Sequence, residues 1–417
     1  MWAASCLASC CASCTCGLCT SAVAGISRRS ARIAYCCLFA FSLVISWILR
    51  EVAAPLLKQL PWINTFTNTP PKEWFQSNAV LRVSSGNFLF FLVHALIMIG
   101  VKDQNDKRVS LHHGGWIVKI VVWIVLIVLM FFLPNVVITI YETLSKFGSG
   151  FFLLVQVILL LDFTYTWNDS WVEKDERKWY IILFSVSILC CVATYSFSGV
   201  LFVWFNPSGR DCGLNVFFIV MTMVLAFAFV VIALHPKVNG SLLPASVISV
   251  YCAYLCYSAL SSEPRDYECN GLHNHSKRVS TADLVTGMLT TILSVVYSAV
   301  RAGSSTTFLS PPSSPKSEGS AKPLLEGEIE SGRDDSKGSD PKPATYSYFF
   351  FHIIFALASM YSAMLFTGWN STTPYGSELI NVGWTTVWIR ICTQWATAAL
   401  YLWTLVAPIL LPDRQFY

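Results

Sequence analysis

Apolar runs long enough to cross about 30 Å of hydrocarbon recur ten times in this chain of 417 residues, and this recurrence constrains its fold more than any other feature. They run approximately over Ile33 to Leu49, Ala79 to Val101, Trp116 to Leu133, Gly148 to Trp167 and Trp179 to Phe205. They continue over Gly213 to Leu234, Leu242 to Ser261, Ala282 to Val300, Tyr346 to Thr367 and Trp384 to Leu411, where Pro408 is expected to bend the end. In hydrocarbon every backbone N–H and C=O must be satisfied within the protein, so such runs fold as helices. The chain is 54% hydrophobic and only 12% charged, about half the charged share of a soluble globular chain. These observations predict an all-α integral membrane protein with about ten transmembrane helices.

With ten spans both termini lie on one side. The connections on that side collect about 17 Lys and Arg against about 8 on the other, which places both termini in the cytosol. Arg28, Arg29 and Arg32 precede the first run, and Lys102, Lys107, Arg108, Lys174, Arg177 and Lys178 continue the pattern. The net charge of +4 is small and dispersed, with no basic stripe interleaved with aromatics, so nucleic acid is not an expected partner. Residues 1–25 form a Cys/Ala/Ser tract without the basic start and leucine-rich core of a secretory signal, and the first helix is read as its own targeting signal.

The chain divides into a Cys-rich cytosolic segment (1–32), eight membrane helices (33–302), a disordered cytosolic loop (303–344) and two further helices with a tail (345–417). Six of the fifteen cysteines fall within the fourteen residues from Cys6 to Cys19. On a reducing face beside a membrane, S-acylation is expected at Cys10, Cys11, Cys14, Cys16 and Cys19, with interfacial packing as the plainer alternative. The loop is rich in Ser, Pro, Gly and charge, a composition that cannot bury enough apolar area to order itself. Ser310-Pro311 and Ser314-Pro315 are candidate phosphorylation sites, and Leu324-Leu325 near Glu318 and Glu326 is a candidate sorting signal.

Ionisable side chains inside apolar runs are costly and therefore informative. Arg82, Lys119 and Arg390 lie near the ends of their runs, where long stems can snorkel to headgroups. Asp162 follows the run Phe151 to Leu161 and is too short to snorkel, so it requires a partner; Arg82 and Lys119 are candidates, with a hydroxyl as the alternative. At about 100° per residue, Asp162, Thr166, Asp169 and Glu173 share one helix face, and Arg390, Gln394, Thr397 and Tyr401 share another. Two polar stripes imply a hydrophilic groove or an interior seam.

No metal set, Gly-rich phosphate loop or HExxH pattern occurs, and the adjacent His112 and His113 cannot face each other on a helix. Neither catalysis nor a cofactor or metal is expected. Polar residues that serve only as glue between helices remain the structural alternative.

The stretch Leu159 to Lys174, LLLDFTYTWNDSWVEK, resembles the most characteristic motif of the Serinc (serine incorporator) family. SALSSEPRDYEC (Ser258 to Cys269), TYSYFFFHIIFALASMY (Thr345 to Tyr361), VWIRICTQW (Val387 to Trp395) and WTLVAPILLPDRQF (Trp403 to Phe416) resemble further family blocks in order. The likeness covers about nine-tenths of the chain. It implies two subdomains joined by a long, tilted fourth helix, with lipid in a cleft. It also implies a role in serine incorporation into phosphatidylserine and sphingolipids through passive phospholipid transport (scrambling), with membrane phospholipids as partners. Asp162 and its stripe would line the path, and Arg82, Lys119 and Arg390 would contact phosphate or balance the acids. The alternative is a serine carrier or a non-catalytic scaffold for serine-using lipid-synthesis enzymes. Residence in the endoplasmic reticulum, Golgi or plasma membrane, and homo-oligomerisation, stay open. Shorter lumenal connections, the first without the cysteines of animal members, fit a plant-type member.

Cys212 and Cys269 are the two cysteines in connections assigned to the oxidising face, and the family carries cysteines at corresponding places, which implies a disulfide between them. The same topology exposes Asn274 and Asn370 to glycosylation while Asn168 and Asn239 stay unmodified.

Overall fold

In the computed structural model the described residues are 28–64, 70, 72–101, 106–206, 211–238, 240–264, 267–270, 276–301, 347–369 and 382–410. Within them the chain forms eleven helices and no strand. They are α1 (Arg28–Gln59), α2 (Lys72–Ile97), α3 (Lys107–His113), α4 (Trp116–Phe132), α5 (Asn135–Val172), α6 (Arg177–Phe205), α7 (Gly213–Ala233), α8 (Leu242–Leu260), α9 (Ser276–Arg301), α10 (Tyr348–Thr367) and α11 (Val382–Leu410).

Each of the ten apolar runs lies on a helix, but not all of them satisfy the demands of a bilayer equally. Among the described residues seven helices are long and apolar enough to cross a membrane by themselves: α1, α2, α5, α6, α7, α8 and α10. Helices α3 and α4, which meet at 73°, taken as one bent span make an eighth. Gly114 and Gly115 make that break, Gly115 at φ 69°, a left-handed conformation that glycine adopts without penalty. In α9 the stretch Val285–Val300 is apolar. The remaining helix, α11, carries Thr386, Arg390, Thr393, Gln394 and Thr397 among its apolar residues, so it is less apolar than the seven.

Local signals set several boundaries. Asp106 caps α3 by accepting from the Arg108 amide, and Ser347 caps α10 by accepting from Phe350. Gly368 ends α10 at φ 63°. Pro134, which lacks an N–H, separates α4 from α5.

The helices pack around two centres. The first core joins Tyr35 and Phe39 of α1, Phe90 and Phe91 of α2, Trp123 and Ile127 of α4, Val295 of α9 and Phe355 of α10. The second region joins α6, α7, α8 and α11 through Leu201, Phe218, Phe229, Ile248, Cys256, Ile391 and Tyr401. Helix α5 belongs to both. Its Phe152 and Leu153 pack in the first core, and its Val157 and Leu161 in the second. With 38 residues it is about 57 Å long, well beyond the hydrocarbon thickness, so one helix spans both subdomains.

Large apolar side chains such as Phe147, Val203 and Phe227 point outward, as expected where lipid is the solvent. Inside, helices approach closely at glycine. A Cβ on Gly86 of α2 would stand 2.9 Å from the Ile127 Cα of α4, whereas one on Gly150 would meet nothing within 4 Å. Gly86→Ala is therefore expected to cost about 1–3 kcal/mol. Gly150→Ala is expected to be neutral or slightly stabilising. Thermal unfolding of the detergent-solubilised variants checks both, and equal midpoints would remove the close-packing argument.

Candidate functional site at the junction of the subdomains

Arg390 of α11 stands where α5, α8, α9, α10 and α11 converge. It lines a small cavity with Gln156, Tyr251, Tyr254, Thr290 and Tyr361. The cavity measures about 30 Å³, room for one or two waters. Arg390 is half-buried, and its Nη1 donates to the Ser258 hydroxyl of α8. No carboxylate pairs with it among the described residues. The junction thus presents a guanidinium with a neutral partner, surrounded by phenols, hydroxyls and an amide. Such a group is suited to bind an anionic oxygen.

An apolar groove of about 270 Å³ opens beside this cavity between α6 and α8, lined by Ala193, Thr194, Phe197, Val250, Ala253 and Tyr254. Tyr254 borders both spaces, so the polar cavity and the apolar groove adjoin across one side chain.

The other residues singled out in the sequence are distributed differently. Asp162 is half-buried and accepts a 2.6 Å bond from the Tyr297 hydroxyl, which ties α5 to α9. This partner is a hydroxyl, and among the described residues neither Arg82 nor Lys119 forms an ion pair with Asp162. Thr166, Asp169 and Glu173 are exposed, so the α5 stripe leaves the interior after Asp162. The α11 stripe does the opposite: Gln394, Thr397 and Tyr401 are buried, and Gln394 Nε2 donates to Thr222 Oγ1 of α7 at 2.6 Å. One stripe is an interior seam and the other a surface.

The snorkel reading fails for Arg82 and Lys119. Arg82 is fully buried and donates to Asn78 Oδ1 (2.6 Å), the carbonyls of Met130 (2.5 Å) and Leu133 (2.8 Å), and Asn135 Oδ1 (2.9 Å). Those acceptors hold it inside, because the last carbonyls of α4 have no helical donor of their own. Lys119 is also buried; its Nζ donates to the His112 carbonyl at 2.8 Å and lies 4.4 Å from the centre of the Trp116 ring. Burial against a carbonyl and a ring face replaces the headgroup contact.

Cys212 and Cys269 form a disulfide with Cα atoms 5.7 Å apart, both buried, at the start of α7 and in the connection after α8. The acylation candidates Cys10, Cys11, Cys14, Cys16 and Cys19, the glycosylation candidates Asn274 and Asn370, and the 303–344 loop lie outside the described residues. Among the described residues no group of three or more His, Cys, Asp or Glu side chains could hold a metal ion. Sequence reasoning missed Gln156 and the tyrosines of the junction. Gln156 did carry a signal, as a lone amide within an apolar run, but tyrosines in a helix do not announce which neighbour they face.

Fold and junction together define a polytopic, all-α membrane protein built as two subdomains on one long shared helix. The family described as Serine incorporator (Serinc) matches residues 8–414. Among relatives, a "Probable serine incorporator" of Nematostella vectensis is 34% identical over 94% of this chain and 92% of its own length. "Serine incorporator 3" of Bos taurus is 30% identical over 97% and 96%. "Membrane protein TMS1" of Saccharomyces cerevisiae is 28% identical over 99% and 96%. The chain belongs to the Serinc family.

Proposed function

We propose that this protein supports serine incorporation into phosphatidylserine and sphingolipids without being an enzyme itself, by passive transport of phospholipids between leaflets. The observation that carries this reading is Arg390, a cation with a neutral partner in a polar cavity that adjoins an apolar groove through Tyr254. A headgroup phosphate would meet the guanidinium, and its tails would stay in the groove and the surrounding hydrocarbon, which lowers the cost of carrying charge across. At about 30 Å³ the cavity admits water but no headgroup, so passage requires α8 and α11 to move away from α5 and α9. Thermal motion supplies that opening. With no nucleotide motif in the sequence, transport equilibrates lipid and does not pump it. Membrane phospholipids are the partners of this reading, both termini face the cytosol, and the host is an endomembrane or the plasma membrane.

Purified protein in vesicles containing a fluorescent phospholipid, with an external quencher, tests the proposal. Wild type is expected to expose inner-leaflet probe, and Arg390→Gln to slow that exchange roughly tenfold, the loss of about one charge-assisted contact. Asp162→Asn retains an acceptor for Tyr297 and removes the charge; an unchanged rate would assign Asp162 to structural glue. No lipid exchange by wild type, with serine flux in its place, would favour a serine carrier. Neither activity would leave the scaffold reading.

A further inference from the structure

Three histidines far apart in the chain meet at the end of the bundle where α10 begins. His112 at the end of α3 and His352 in the first turns of α10 are fully buried, with His112 Nδ1 and His352 Nε2 3.0 Å apart. His94 of α2 lies 5.3 Å from the His352 ring, centre to centre. The groups facing the pair are Tyr35 and Arg32 of α1, His94 of α2, His113 of α3, Lys119 of α4 and Tyr348 of α10. Of these, Arg32 and Lys119 are basic and no carboxylate stands among them.

Hydrogen-bond accounting assigns the proton between the rings. His352 Nδ1 is buried and has no hydrogen-bond partner. Placing the shared hydrogen on His352 Nε2 leaves Nδ1 as a bare lone pair, whereas the other tautomer would bury an N–H without an acceptor, the costlier arrangement. His352 therefore donates to His112 Nδ1. A further proton has two places to go between these atoms, and both are unfavourable. On His352 Nδ1 it finds no acceptor; on His112 Nδ1 it opposes the His352 N–H across 3.0 Å. In either place it adds positive charge beside Lys119 and Arg32.

We propose that the His112–His352 hydrogen bond is a latch between α3 and the start of α10, closed while both rings are neutral with one hydrogen shared between them, and released when the pair takes up a further proton. The rest of α3 does not depend on it. The His112 carbonyl is held separately by Tyr35 of α1 at 3.3 Å and by Lys119 of α4 at 2.8 Å, so release is local to the α3–α10 contact. Helix α10 also carries Tyr361 into the junction cavity, which makes it a route from this end of the bundle to Arg390.

Hydrogen–deuterium exchange on the full chain in lipid nanodiscs, corrected for intrinsic rates, tests the latch at pH 7.5 and pH 5.5. Amides of 107–113 and 348–355 are expected to exchange at least fivefold faster at the lower pH in wild type. His352→Gln, which keeps a donor toward His112 but does not titrate, is expected to exchange slowly at both. Equal corrected rates in wild type, an undiminished pH effect in His352→Gln, or an equal rise throughout α8 would each overturn the latch. If His352→Gln does not fold, His112→Gln is read in the same way, and the wild-type arm alone still decides against the latch if it is flat.

Discussion

Arg82→Met is expected to destabilise the protein by about 4 kcal/mol, enough to leave little folded protein in detergent, because the substitution orphans several buried acceptors together. The guanidinium joins Asn78 of α2, the last carbonyls of α4 and Asn135 at the start of α5. Asn135 extends the chain of contacts by donating to the Ile63 carbonyl at 2.9 Å. One side chain thus sets the turn from which the shared helix α5 departs. Arg82→Lys should rescue only a fraction, since a single ammonium cannot reproduce the planar fork that reaches four oxygens. Size-exclusion behaviour and thermal midpoints of the three proteins decide it. An Arg82→Met protein within 2 °C of wild type would show that the bonds contribute little.

The second large effect concerns pH and Glu263, in the connection after α8 beside the Cys212–Cys269 disulfide. Glu263 is only 5% exposed. Asn215 of α7 donates to its Oε2 at 3.3 Å, and its Oε1 has no partner. Burial pushes the carboxyl up to about 8, partly opposed by the Asn215 bond. Between its ordinary value near 4.5 and about 8 the folded state therefore binds a proton that the unfolded state does not. Stability from this group is complete below about pH 4.5 and is lost as pH rises through 8. The expected loss between pH 5 and pH 8 is on the order of 3 kcal/mol. Glu263→Gln keeps the shape and removes the titration, so it should flatten this dependence and raise the midpoint at pH 8. Thermal unfolding of both proteins at the two pH values, with the disulfide intact, measures the difference. Parallel curves would mean that water reaches the carboxylate.

The membrane class was legible because hydrocarbon thickness and obligatory backbone hydrogen bonding convert run length directly into helices. The long α5 was partly legible too, since the polar stripe from Asp162 to Glu173 continues the helical spacing beyond the apolar run. Partner choice was not. Arg82 and Lys119 invited pairing by charge, yet inter-helix register gives them carbonyls and amides, and Asp162 accepts from the Tyr297 hydroxyl, the alternative its short side chain had allowed. Glu263 lay within a quoted family block, and nothing in its neighbours announced that it would be buried.

By itself, then, the sequence determined the solvent of this protein, the type of its apolar elements and its membership of a family, since those follow from run length, composition and local motif. Tertiary structure decided which face of α5 is surface and which face of α11 is seam, that Arg390 shares a cavity with Tyr254 and Tyr361, and that His94, His112 and His352 meet. Spacing along a helix fixes which side chains share a face, but the neighbour that face meets is set by how separate helices cross and slide, and no local pattern encodes that.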